Sequence, residues 1–78
     1  MPDSLVEKIL LAHVRELHAF YGEHLGLGYT RKNVAWYLEA YPGAREFRSV
    51  FNTLDSLSAQ LEHVEQFFAA LQQQEQAA

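Results

Sequence analysis

The sequence predicts an all-α fold, a compact four-helix bundle, and three observations predict it. Apolar residues recur three and four apart along the chain, and no stretch alternates as a strand would. Apart from Pro2, glycine and proline fall in two places only, residues 22–28 and Pro42-Gly43, which divide the chain into helix-length pieces. Of the 78 residues, 49% are hydrophobic and five are Phe, enough for a dense core. That core is needed, because a chain this short buries only about 60–65% of the surface its unfolded form exposes. With no cysteine, neither a disulfide nor a zinc cluster of Cys ligands can reinforce it. Short connections between four such helices fit a bundle.

The first helix is expected from a capping box, Ser4-Leu5-Val6-Glu7, in which the Ser side chain accepts from the N3 amide and Glu7 reaches back. It runs to about Tyr21, with Val6, Ile9, Leu10, His13, Leu17, Phe20 and Tyr21 on one broad face. Residues 22–28 break the pattern. A second helix is expected with Thr30 as its cap, stopping before Pro42, since the residue preceding a proline disfavours the helical region. Its stripe is Val34, Tyr37, Leu38 and Tyr41. A third, from about Ala44 to Leu54, buries Phe47, Val50, Phe51 and Leu54. Asp55 or Ser56 caps a fourth, whose stripe is Leu57, Leu61, Val64, Phe67, Phe68 and Leu71. The helical domain is expected over residues 1–73, with the polar, low-complexity residues 74–78 as a tail.

The net charge of −4 conceals a polarised chain. Residues 1–28 carry two bases and four acids, residues 29–48 four bases and two acids, and residues 49–78 four acids and no base. Acidic flanks oppose nonspecific polyanion binding, so any anion site must be local. No segment approaches a membrane span of roughly 20 apolar residues and none has the pattern of a signal peptide. A soluble, cytosolic domain is expected.

Catalytic and metal patterns are missing. There is no cysteine nucleophile, no HExxH, and no glycine-rich phosphate loop; "GLGY" lacks a preceding strand. The four histidines, His13, His18, His24 and His63, have no ligand spacing, and His13 reads as a hydrogen-bonded core residue. Glu62 and Glu65 lie on a polar helix face, where solvated charge is the default. Nothing in the chain reads as an enzyme on its own.

One window stands apart: "GYTRKNVAWYLEAYPGAREFR", residues 28–48, holds four of the six bases and the only Trp. On a wheel, Val34, Tyr37, Leu38 and Tyr41 cluster within about 100° of arc. Lys32 and Trp36 project from the far side, about 40° apart. Arg45, Arg48 and Asn52 group opposite Phe47, Val50 and Phe51. Arg presents a planar fork to phosphate and Lys a point charge, while exposed aromatics and Asn suit bases and sugars. The opposing reading is solvated surface, with Arg45 paired to Glu46 or Glu39 and Trp36 packed on a neighbouring helix.

In this window the sequence resembles the C-terminal helical domain of bacterial tRNA-dihydrouridine synthases, B-type branch. The family reads much like "RIARKHLGWYL…LPGAREFR" here, and the likeness extends upstream to "LHAFYGEHLG" and downstream to "FNTLDSLSAQLEHVEQFF", almost the whole chain. The resemblance implies the tRNA-binding part of an enzyme that reduces uridine in tRNA to 5,6-dihydrouridine with FMN and NADPH. In the family, the flavin and a catalytic cysteine belong to an N-terminal TIM barrel. The chain itself is thus expected to hold no cofactor, and its partners to be tRNA and that barrel. Carried over by position, Arg31 and Lys32 match the family's Arg-Lys and are the leading phosphate contacts. Tyr37, Arg45 and Arg48 match as further candidates, and Trp36 faces the barrel or stacks on RNA. Asn33 stands where the family has His and cannot carry charge; Gly28, Tyr29 and Thr30 replace an Arg-Ile-Ala run, with one positive charge fewer. The RNA-binding set is therefore Arg31, Lys32, Asn33, Trp36, Tyr37, Arg45 and Arg48. The rival is a protein-interaction bundle that docks another domain or a second copy. A free-standing metal or small-ligand binder, the third class, has only scattered His behind it.

Overall fold

The structure, a computed structural model, describes residues 2–77. It is all-α, with three helices: α1 (Asp3–Leu38), α2 (Ala44–Phe51) and α3 (Leu57–Ala77). The expected four-helix count is thereby overturned. The glycine window does not form a loop; only Gly22 leaves helical geometry, at φ 81° and ψ 167°, and the helix resumes at once. That backbone region is essentially closed to residues with a Cβ. A single glycine therefore does the work that the sequence assigned to seven residues.

At Gly22, α1 folds into two antiparallel arms, residues 3–21 and 23–38. Contacts pair His18 with Gly26, His13 with Asn33 and Asp3 with Tyr41, the descending register of antiparallel neighbours. Thr30, expected to cap a helix, is fully buried inside the second arm. The Ser4 capping box is also absent. Pro2 is the N-cap, extended and without a side-chain cap bond, and its carbonyl accepts from the Leu5 and Val6 amides. Asp3 then occupies the first turn, where its charge suits the positive end of the helix.

A turn at 39–43 carries the chain to α2, with Gly43 at φ 83° as the N-cap. α2 ends at Phe51, and the Thr53 and Leu54 amides bond back to Val50 and Phe51. Ser56 caps α3 as expected, its Oγ accepting from the Ala59 amide at 3.1 Å. α3 extends through residue 77 into the polar segment read as a tail; residue 78 of that segment, like Met1, lies outside the described residues.

The core gathers Leu10, Val14, Val34, Leu38, Phe47, Phe51, Val64, Phe68 and Leu71. On the first arm the buried line is Leu10, Val14 and His18, rotated from the expected face, so Ile9, Phe20 and Tyr21 are exposed. Tyr37 and Val50 are likewise exposed. Phe47 stacks on Phe51 (centroids 4.9 Å) and on His63 (4.7 Å) and meets Phe67 edge-on (5.0 Å), which wedges α2 against α3. That wedge fixes which side of α2 faces outward. Among the described residues no helix is long and apolar enough to cross a membrane.

Candidate nucleic-acid interface

Lys32, Ala35, Trp36 and Glu39 follow i, i+3, i+4, i+7 spacing and share one face of the second arm. Arg45 and Arg48, one turn apart, rise from α2 beside them. Between the arm and α2 lies a groove of about 420 Å³ lined by Ala35, Trp36, Glu39, Arg45 and Arg48, with Leu38, Ala44 and Phe47 completing its wall. Trp36 is 71% exposed and meets Tyr37 edge-on at 5.4 Å. Lys32 is exposed one turn before Trp36. Among the described residues, no carboxylate forms an ion pair with Lys32, Arg45 or Arg48. Two arginines and an indole therefore share one open groove, with exposed Lys32 one helical turn along the arm from Trp36.

The other expected site residues have different surroundings. Arg31 is half-buried, and its Nη2 donates to the Leu54 carbonyl at 3.0 Å, which ties the second arm to the loop after α2. Its Nε is buried without a partner. Asn33 is also turned to internal work: Nδ2 donates to the Tyr29 carbonyl at 2.8 Å, and Oδ1 lies 3.4 Å from His13 Nε2. Tyr37 packs edge-on against His13 at 6.2 Å, on the side facing the first arm. The expected set thus divides into an open group (Lys32, Trp36, Arg45, Arg48) and a group that braces the hairpin (Arg31, Asn33, Tyr37). His13 is hydrogen-bonded as expected but only half-buried, outside the core it was expected to join. The fully internal histidine is His18, whose Nε2 lies 2.7 Å from Gln60 Oε1.

Two features escaped the sequence reading. Glu39, which the sequence offers only as a pairing partner for Arg45, instead lines the basic groove beside Arg45 and Arg48. α1 leaves much apolar side chain exposed: eight of the nine large hydrophobic side chains left exposed among the described residues belong to it. At the bend Phe20 is 81% exposed and meets Tyr21 edge-on at 4.8 Å, while Tyr21 lies on Tyr29 at 4.3 Å. Three acids, Glu7, Glu62 and Glu65, line a separate groove. Burial, reinforced by the charge of Glu65, raises the Glu7 carboxyl above its ordinary range. Burial and Asp3, which accepts from its hydroxyl, raise Tyr41.

Residues 2–74 match a family model described as "Dihydrouridine synthase (Dus)". The chain is 55% identical over 67 residues to "tRNA-dihydrouridine synthase B" of Pseudomonas aeruginosa, covering 86% of this chain and 20% of that protein. A protein of the same description from Vibrio vulnificus is 47% identical over 68 residues, 87% of this chain and 21% of that one. The Serratia marcescens protein so described is 41% identical over 71 residues, 91% and 21% respectively. The chain spans about a fifth of the length of these curated relatives. With nearly the whole chain inside the family match and residues 28–48 carrying its basic face, this protein belongs to the dihydrouridine synthase family.

Proposed function

We propose that this chain is the tRNA-gripping helical domain of a flavin-dependent tRNA-dihydrouridine synthase. The single observation that carries this reading is the convergence of Lys32, Trp36, Arg45 and Arg48 on one open face. Guanidinium forks and an ammonium take phosphate oxygens, and an exposed indole offers a π-face to an unpaired base. Arg31, Asn33 and Tyr37 support that face from behind. On this reading the chain works in the cytoplasm and binds tRNA while a barrel domain performs the reduction of uridine.

The residues here do not fit FMN. A flavin site buries most of its ligand's surface, and the groove between the second arm and α2 lies open to solvent. On this reading the flavin and the redox chemistry belong to the barrel domain. A tRNA titration of this chain at two salt concentrations tests the reading. Affinity is expected to fall with salt, and Lys32→Gln to make the log–log slope shallower by about 0.7–0.9. Absence of binding at low salt with excess tRNA would remove the autonomous form of the proposal.

A second reading has its own observation, the exposed aromatic face of α1. Phe20, Tyr21 and Tyr29 meet there as an exposed aromatic cluster, a kind of surface that marks docking sites. It suits the barrel of the family protein as a second contact alongside the basic groove, so both readings can hold in one enzyme.

A further inference from the structure

Phosphate binding leaves one member of the Trp36 groove without a task. Glu39, from the arm, lines the same groove as Arg45 and Arg48 of α2, and a carboxylate repels the anion those arginines attract. Among the described residues neither arginine neutralises it by an ion pair. A groove that combines cations, an exposed indole and one acid matches a nucleotide rather than a phosphate alone. A nucleotide carries negative oxygens at one end and N–H donors on its base edge at the other.

The bases differ in what they offer a carboxylate. Guanine presents N1–H and the N2 amino group side by side, two donors for the two oxygens of one carboxylate. Uracil has a single N3–H flanked by carbonyls, which repel the second oxygen. Cytosine and adenine each set an amino donor beside a ring-nitrogen acceptor. Guanine's two-ring surface also overlaps an indole more fully than a pyrimidine does. The groove, about 420 Å³ and open to solvent, suits a nucleotide held at the surface between two helices, as a base in an RNA strand is, rather than one enclosed in a pocket.

The geometry points to a binding site for an unpaired guanine nucleotide, deepening the RNA reading on which it rests. The base stacks on Trp36, its Watson–Crick edge meets Glu39, and its phosphate lies between Arg45 and Arg48. The first turn of α2, where Arg45 sits, adds the positive end of a helix to the phosphate subsite.

Trp36 is the only tryptophan, so its fluorescence reads the site directly. The 78-residue chain is titrated with GMP, CMP and UMP, and separately with tRNA. GMP is expected to quench Trp36 with an affinity about fivefold or more above CMP and UMP, the low end for a bidentate base contact. Glu39→Gln is expected to bring GMP down to the level of CMP. Arg45→Gln and Arg48→Gln should weaken all three nucleotides alike. These side chains are exposed, and circular dichroism checks that each variant is folded. Equal affinity for the three nucleotides, no quenching by any of them, or a guanine preference that survives Glu39→Gln overturns the site. Salt-dependent tRNA binding without the mononucleotide preference overturns the guanine site and spares the RNA reading. A preference for GMP without tRNA binding does the reverse and makes the free nucleotide the ligand.

Discussion

Gly26 lies directly against the backbone of His18. A Cβ built on Gly26 would stand 2.9 Å from the His18 Cα and 3.0 Å from its ring Cγ and Nδ1. The two arms of α1 approach this closely because one side chain is missing, and backbone cannot swing aside as a long side chain can. Gly26→Ala is therefore expected to destabilise the chain by about 1–3 kcal/mol in a denaturant titration. Gly28 supplies the control, since nothing lies within 4 Å of its added Cβ and it sits exposed in a helix. Gly28→Ala should gain about 0.5–1 kcal/mol. Equal responses at the two positions would contradict the close packing of the arms.

Arg31 and Lys32 are adjacent in sequence and differently placed: Arg31 bonds the Leu54 carbonyl, and Lys32 is exposed. Arg31→Met removes the bond to the Leu54 carbonyl and should cost about 1.5–3 kcal/mol of stability, the range for hydrogen bonds of a charged group. Its tRNA salt slope is expected to stay at the wild-type value, whereas Lys32→Met makes the slope shallower by about 0.7–0.9. Side-chain NMR gives a direct check. On addition of tRNA, the Nε–H signals of Arg45 and Arg48 should shift and that of Arg31 should stay in place.

The buried His18–Gln60 pair is a polar link inside an apolar core, with Gln60 Nε2 also donating to the Leu27 carbonyl at 3.4 Å. Gln60→Leu strands the His18 ring and should cost about 1–3 kcal/mol. The double change His18→Leu with Gln60→Leu removes both polar partners and should cost less than Gln60→Leu alone. Thermal melts of the single and double variants measure the difference. Strict additivity would mean the pair is not coupled.

Glu7 carries a pH signature. Its carboxyl is raised by burial and by Glu65, so around the transition the folded chain binds more protons than the unfolded one. Stability from this group is full at acidic pH and is lost as pH rises through the raised value. Glu7→Gln should thus be more stable than wild type at pH 7, by roughly 0.2–1 kcal/mol after solvent screening. The advantage should vanish as pH falls below the ordinary value of 4.5. Denaturant titrations at several pH values read both the sign and the window.

Much of the fold was legible where periodicity and punctuation agree. The Ser56 cap, the Val64–Phe68–Leu71 line on α3 and the outward placement of Trp36 follow from spacing alone. The glycine window misled because the sequence does not say which glycine turns the chain. Gly22 needs its freedom for a backbone angle, Gly26 for a close approach, and Gly28 for neither. On the first arm, apolar residues span too much of the helix circumference for a wheel to choose the buried line, and only the partners of Leu10 and Val14 settle it. At the site, sequence could collect the cations but not tell Arg31 from Lys32. That difference depends on the Leu54 carbonyl, 23 residues away in the chain.

A reversal made by one residue leaves the hairpin no slack. Adding a single residue beside Gly22 would advance the second arm by one helical step, a rotation of about 100°. Lys32, Trp36 and Glu39 would then leave the flank of α2 together, with every side chain of the groove still encoded. Length at the bend is thus as selective as chemistry at the surface. If the proposed RNA reading holds, natural variants that lose it are expected to differ in the number of residues at the hairpin tip as well as in the letters of the basic window.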